Sequence, residues 1–182
     1  PPSAPEPIMH GELVLTDRYP RVPLDRRVAA FAIDFVLTAI PSLLFGGATV
    51  IVFLLLWLGH RVFWVAANQG QSIGRWAVDT KVVNPRFRIL PGLVPLLKRE
   101  AITGVGAVLV LIGCINLSPT NGFLLIAPIP LLVDCGQAFV DRDRRRAFHD
   151  RVADTMMTQT QRGASLDIKV KQIIAVLRRR MK

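Results

Sequence analysis

Apolar residues along this chain fall into two long blocks, Val28 to Ala67 and Ala101 to Val140, with the charged residues gathered before, between and after them. A helix needs about 20 residues to cross the hydrocarbon core of a bilayer, so each block is too long for a single crossing. Near the middle of each, turn-forming residues replace apolar ones: Gly46-Gly47 in the first and Ser118-Pro119-Thr120-Asn121-Gly122 in the second. The pattern predicts two helical hairpins, with spans over 28–45, 48–67, 101–117 and 122–140.

Charge sharpens this picture. The chain has 182 residues, of which 51% are hydrophobic, and still carries a formal net charge of +10. Of its 23 Lys and Arg, four lie at or before Arg27, six lie between the blocks, twelve follow Val140, and neither turn has any. Lys and Arg in short loops stay on the cytoplasmic side because translocating them is unfavourable. Four spans put every basic segment on that side, with both termini cytoplasmic; one helix per block would put the central loop opposite both tails. The expected organisation is a cytoplasmic N-terminal segment (1–27), a first transmembrane hairpin (28–67), a cytoplasmic loop (68–100), a second hairpin (101–140), a cytoplasmic basic segment (141–163) and a basic amphipathic helix (164–182). The opening PPSAPEP is acidic and proline-rich and does not read as a cleavable signal. Cys114 and Cys135 fall in different spans near opposite faces, so two free buried thiols are expected.

Ionisable residues inside the apolar blocks are the candidate chemistry. Asp34 lies seven residues beyond Arg27, or roughly 10 Å deeper at about 1.5 Å rise per residue. Reflecting position 34 through the turn near 47 lands on His60-Arg61, and Asp134 falls at a similar depth in the fourth span. A charge in the membrane usually faces the bundle interior and finds a partner. Arg61 is placed to bridge Asp34 and Asp134 through its fork of donors, while Arg27 is a second candidate for Asp34 or for a lipid phosphate. Such a cluster either registers helices against one another or handles protons or cations.

The cytoplasmic segments carry further signals. Trp76 to Asn84 and Asp154 to Thr160 read as short strands that pair into a small β-like cap. His149-Asp150 reads as a loop-fixing pair, since no nucleophile or third ligand at suitable spacing accompanies it. In the tail, Leu166, Val170, Ile173, Ile174, Leu177 and Met181 form one helical stripe, followed by Arg178, Arg179 and Arg180 among its basic residues.

Taken together, RRVAAFAID in the first span, GQSIGRWAVDTKVV after the second, LKRE before the third, Asp134 in the last and RRRAFHDRVADTMM after it resemble the RDD family of small membrane proteins. The resemblance covers roughly residues 20 to 160, and its arginine and two aspartates match Arg27, Asp34 and Asp134. The surroundings look most like cyanobacterial members, which implies a bacterial plasma membrane or thylakoid membrane. One departure stands in the glycine-rich segment, where Gly70, Ser72 and Gly74 are followed by Arg75 in place of the family's lysine. The segment lacks the spacing of a nucleotide-binding loop. Its expected role is a turn that lays Arg75 and Trp76 at the headgroup level.

The expectation is therefore an all-α membrane protein with four transmembrane helices, a β-like cap and a C-terminal amphipathic helix. Arg75, Trp76, Arg144, Arg145, Arg146 and Arg178 to Arg180 are its candidate contacts to anionic headgroups or a partner. No enzyme activity, cofactor or metal is expected. Nucleic acid is not an expected partner despite a pI near 11.0, because topology already explains the basic residues. The function reading is a non-enzymatic accessory or scaffold component of a larger membrane assembly or homo-oligomer; the alternative is proton or cation transport through the Asp/Arg cluster.

Overall fold

A computed structural model of the chain describes residues 22–118, 122–141 and 145–160. The N-terminal segment before Val22, Arg144 and the whole tail with Arg178 to Arg180 lie outside these residues.

The chain is mostly helical. Helix α1 spans Leu24–Leu43. Helix α2 spans Gly46–Ala67, opening in a tight 3-10 turn and widening to a π-helical stretch at Gly59–Phe63. A short helix α3 (Ile73–Ala77) leads into strand β1 (Thr80–Val83). Helix α4 spans Leu93–Ile115, and α5 spans Phe123–Val140 with a break at Ala127-Pro128. A short helix α6 (Phe148–Val152) leads into strand β2 (Met156–Gln159). The Gly46-Gly47 turn separates α1 from α2 as the sequence predicts, with Gly46 at φ +52°.

Two of these helices, α2 and α5, are long and apolar enough to cross a membrane, with mean hydropathy 2.0 and 1.9 over their most apolar stretch. The other two long helices carry charges near their starts, Asp25-Arg26-Arg27 in the first turn of α1 and Lys98-Arg99-Glu100 in the second turn of α4. Helix α4 begins eight residues before the expected 101, because Gly92 is extended and Pro95, in the first turn, withholds an N–H that has no helical acceptor there. The β-like cap is a two-stranded antiparallel sheet with Thr80 opposite Gln159 and Val83 opposite Met156. Its first strand starts later than expected, since Trp76 and Ala77 belong to α3.

Packing runs from α1 to α2, from α2 to α4 and from α4 to α5. Phe53 and Trp57 of α2 meet Ala39, Ala107 and Leu111 in one apolar core, while Val62, Val65, Val82, Leu96 and Met157 form a second beside the cap. The polarity of the rest is inverted relative to a water-soluble domain. Ile40, Leu55, Val105, Leu132 and Val140 face outward, while Asp34, Arg61, Arg75, Arg99, Glu100 and Asp150 are buried. Apolar exterior and paired charged interior suit a lipid surrounding. Both cysteines are free, but Cys114 is exposed on the chain's surface and Cys135 half-buried, so the expectation of two buried thiols is corrected.

Candidate functional site

Asp34 sits in the middle of α1, fully buried, and each carboxylate oxygen has two partners. Arg61 Nη1 donates to Oδ2 at 2.7 Å and the Ser72 hydroxyl donates to the same oxygen at 2.6 Å. The Gly74 backbone N–H donates to Oδ1 at 2.7 Å, and His60 Nε2 lies 2.8 Å from it. His60 and Arg61 are adjacent in sequence yet address one carboxylate, in the wide π turn of α2, a kind of irregularity frequent at functional sites.

Arg61 does bridge two carboxylates, but the second is Glu100 of α4. Arg61 Nε donates to Glu100 Oε2 at 2.6 Å, and its guanidinium lies 4.6 Å from the Trp57 ring centre. The expected Arg61–Asp134 bridge is replaced because α4, not α5, packs against α2 at this level and its early start carries Glu100 into the bundle. Thr103 donates to Glu100 Oε2 at 3.0 Å, and Arg75 Nη2 donates to Oε1 at 2.5 Å. Arg75 is 1% exposed, so its expected headgroup contact is corrected; Trp76 beside it does face outward. Burial pushes the Arg75 guanidinium down to about 10, with Arg61 adding to the effect and Glu100 opposing it. Arg75 stays charged at neutral pH.

Arg27 does not pair with Asp34. Its Nη1 donates to Asp150 Oδ2 at 3.0 Å, while Arg99 Nη1 lies 3.0 Å from Asp150 Oδ1. Asp150 is thus more than half of a loop-fixing pair. Burial alone would raise its pKa, yet Arg99, His149 and Arg27, with the Ala147 N–H, hold it well below the usual carboxylate range. Asp134 is held by His149, whose backbone N–H donates to Oδ1 at 2.8 Å and whose Nδ1 lies 2.5 Å from Oδ2. Arg99 also approaches Glu100 Oε1 at 3.2 Å, so one chain of contacts runs from Asp34 through Arg61, Glu100, Arg99, Asp150 and His149 to Asp134. Four carboxylates meet four guanidinium groups in it, and the arrangement is neutral when both histidines are uncharged.

The glycine-rich segment is part of this site and not a plain turn. Ser72 caps α3 by accepting the Arg75 N–H, and a Cβ at Gly74 would run into the Ala30 carbonyl and the Asp34 carboxylate. The same construction recurs 75 positions later. SIGRWAVDT (72–80) and AFHDRVADT (147–155) each form a short helix, an Asp at positive φ and a buried Thr entering a strand. In the first copy the Gly74 N–H caps Asp34; in the second the His149 N–H caps Asp134. Glu100, Arg99, Ser72 and Gly74 were missed as site residues by sequence reasoning, and this near-repeat is the signal that leads to Gly74, the counterpart of His149.

The remaining candidates are peripheral. Arg146 Nη1 lies 3.6 Å from the exposed Asp154, and its backbone N–H donates to Asp141 at 3.2 Å. Arg145 adopts a left-handed φ of 49° between α5 and α6. Among the described residues, no three His, Cys, Asp or Glu side chains gather as a metal site.

No curated protein and no solved structure matches the chain. The RDD family model matches residues 21–154, a stretch that includes all of Arg27, Asp34, Arg61, Glu100, Asp134 and Asp150. With two helices apolar enough to span and a family of membrane proteins matched, a membrane location follows. The chain belongs to the RDD family.

Proposed function

We propose that this chain is a four-span, non-enzymatic membrane protein with both termini cytoplasmic, serving as an accessory or scaffold component of a larger membrane assembly. The observation that carries the reading is the saturation of the buried carboxylates of Asp34 and Glu100. Each carboxylate of Asp34 and Glu100 already holds several donors at 2.5 to 3.0 Å. A transported ion needs a ligand that is free in part of the cycle, whereas a saturated pair registers helices. Positive segments flanking every hairpin support the topology, and the basic tail, residues 164–182, supplies a docking element for anionic headgroups or a partner. The membrane is a bacterial plasma or thylakoid membrane on the likeness to cyanobacterial members. Extraction in mild detergent from native membranes is expected to bring the protein out in a large complex, and deletion of 164–182 to weaken that association. A lone monomer would sink the reading.

Proton or cation transport is the second reading, and His60 favours it. This titratable ring is 11% exposed at the edge of the network and touches Asp34. Transport predicts pH-dependent ion flux in proteoliposomes that Asp34→Asn abolishes while the protein stays folded; unchanged flux removes it.

A further inference from the structure

A cavity of about 190 Å³ lies between α1, α4, α5 and the start of α6. Arg27, Arg61, Arg75, Arg99 and His149 line it, and no carboxylate does. The network therefore turns its positive side toward the cavity.

Two donors there have no acceptor. Among the described residues, Arg27 Nε and Arg75 Nη1 are buried without a hydrogen bond, whereas Arg99 Nε and Arg99 Nη1 already face carboxylates. Arg75 is 1% exposed, so solvent at the surface does not reach it. A buried donor without an acceptor is costly, and converging guanidinium groups fit the oxygens of a phosphate better than those of any neutral group. The rest of the wall is apolar. Val28, Leu132 and Phe139 line the cavity and also reach the outer surface, at 65%, 64% and 67% exposure, so its wall continues onto the face turned to lipid.

We propose that this cavity binds the phosphate of an anionic phospholipid, with the acyl chains leaving over Val28, Leu132 and Phe139. The guanidinium N–H groups of Arg27 and Arg75 hold the phosphate oxygens, and Arg99 adds positive charge to the wall. The volume admits a headgroup phosphate and not a whole lipid, which places the chains outside. Free inorganic phosphate shares the recognised chemistry but has no use for the apolar wall.

The test uses the full chain in a neutral detergent. A short-chain phosphatidic acid, the phosphatidylcholine of the same chain length and inorganic phosphate are compared by thermal-shift titration and native mass spectrometry. Phosphatidic acid is expected to bind at least tenfold more tightly than phosphatidylcholine, and Arg75→Gln to weaken it at least tenfold. Because Arg75→Gln also touches Glu100, Cys135→Phe provides a second variant that fills the cavity from α5 without altering a charge; it is expected to abolish binding while leaving the ligand-free melting temperature near the parent's. Equal protection by inorganic phosphate at the same concentration would overturn the lipid as the source. Equal binding of the two lipids, or unchanged binding in Cys135→Phe, would overturn the site itself. Either failure leaves the topology and docking reading untouched, since those are read by co-purification.

Discussion

The backbone N–H of Gly74 donates to the Asp34 carboxylate at 2.7 Å, joining the loop after the second helix to the middle of the first. The contact requires the absence of a side chain, because a Cβ at this position would lie 2.8 Å from Asp34 Oδ1. Gly74→Ala is therefore expected to destabilise the protein by about 1–3 kcal/mol, the range for overpacking a tight site. Gly59→Ala is the control, since nothing lies within 4 Å of its Cβ and it sits in a helix; it is expected to be neutral or slightly stabilising. Thermal unfolding of the two variants in detergent decides this, and equal melting temperatures would contradict the geometry.

Double-mutant cycles separate the two arginines that compete for Asp34 in the sequence. Arg61 touches Asp34 at 2.7 Å, whereas Arg27 touches Asp150. Removing Arg61 leaves two buried carboxylates short of a partner, and Arg61→Gln is expected to cost about 3–5 kcal/mol. The pair Asp34→Asn with Arg61→Gln should show a coupling of about 0.5–3 kcal/mol, as should Arg27→Gln with Asp150→Asn. Arg27→Gln with Asp34→Asn should be additive. Coupling in this last pair and none in the others would refute the assignment.

Acid stability should depend on Asp150. Its folded pKa lies below the unfolded value of about 3.9, so the folded state binds fewer protons than the unfolded state in the acid range. The stabilisation is fully present above the unfolded pKa and is lost as pH falls through the folded one. Melting temperature is expected to drop as pH goes below about 4, and Asp150→Asn to flatten that drop while lowering stability at neutral pH. An acid limb of unchanged steepness in the variant would assign the dependence to other carboxylates.

The proposed topology can be checked by labelling. In a background with Cys114→Ser and Cys135→Ser, a membrane-impermeant maleimide added outside intact cells should label a cysteine placed at Gly47 and spare one placed at Arg86. Labelling of both from the same side would break the four-span reading.

Much of this was legible in the sequence because hydrophobic blocks and charge placement are one-dimensional signals. The pairs of antiparallel helices, the Gly46-Gly47 turn and the pairing of Asp34 with His60-Arg61 all follow from counting residues. The cap was legible in kind, since β-branched runs mark strands, but its boundary was not, because Trp76 belongs to a short helix capped by Ser72. Ion pairing was harder to read. Arg61 bridges two carboxylates as its geometry predicts, yet which second carboxylate it takes depends on the start of α4, eight residues earlier than hydropathy places it, and on which helix lies beside α2.

By itself, the sequence determined that this protein separates apolar blocks from basic segments, belongs by its motifs with RDD proteins, and carries charges inside its apolar blocks that must find partners. The tertiary structure alone decided who those partners are: Glu100 for Arg61, Asp150 for Arg27, Gly74 and Ser72 for Asp34, His149 for Asp134. The physical reason is that a charge signals its need for a partner locally, through the cost of burying it, whereas the identity of that partner depends on which helix faces lie within about 3 Å of one another. Periodicity along one chain carries no information about that distance.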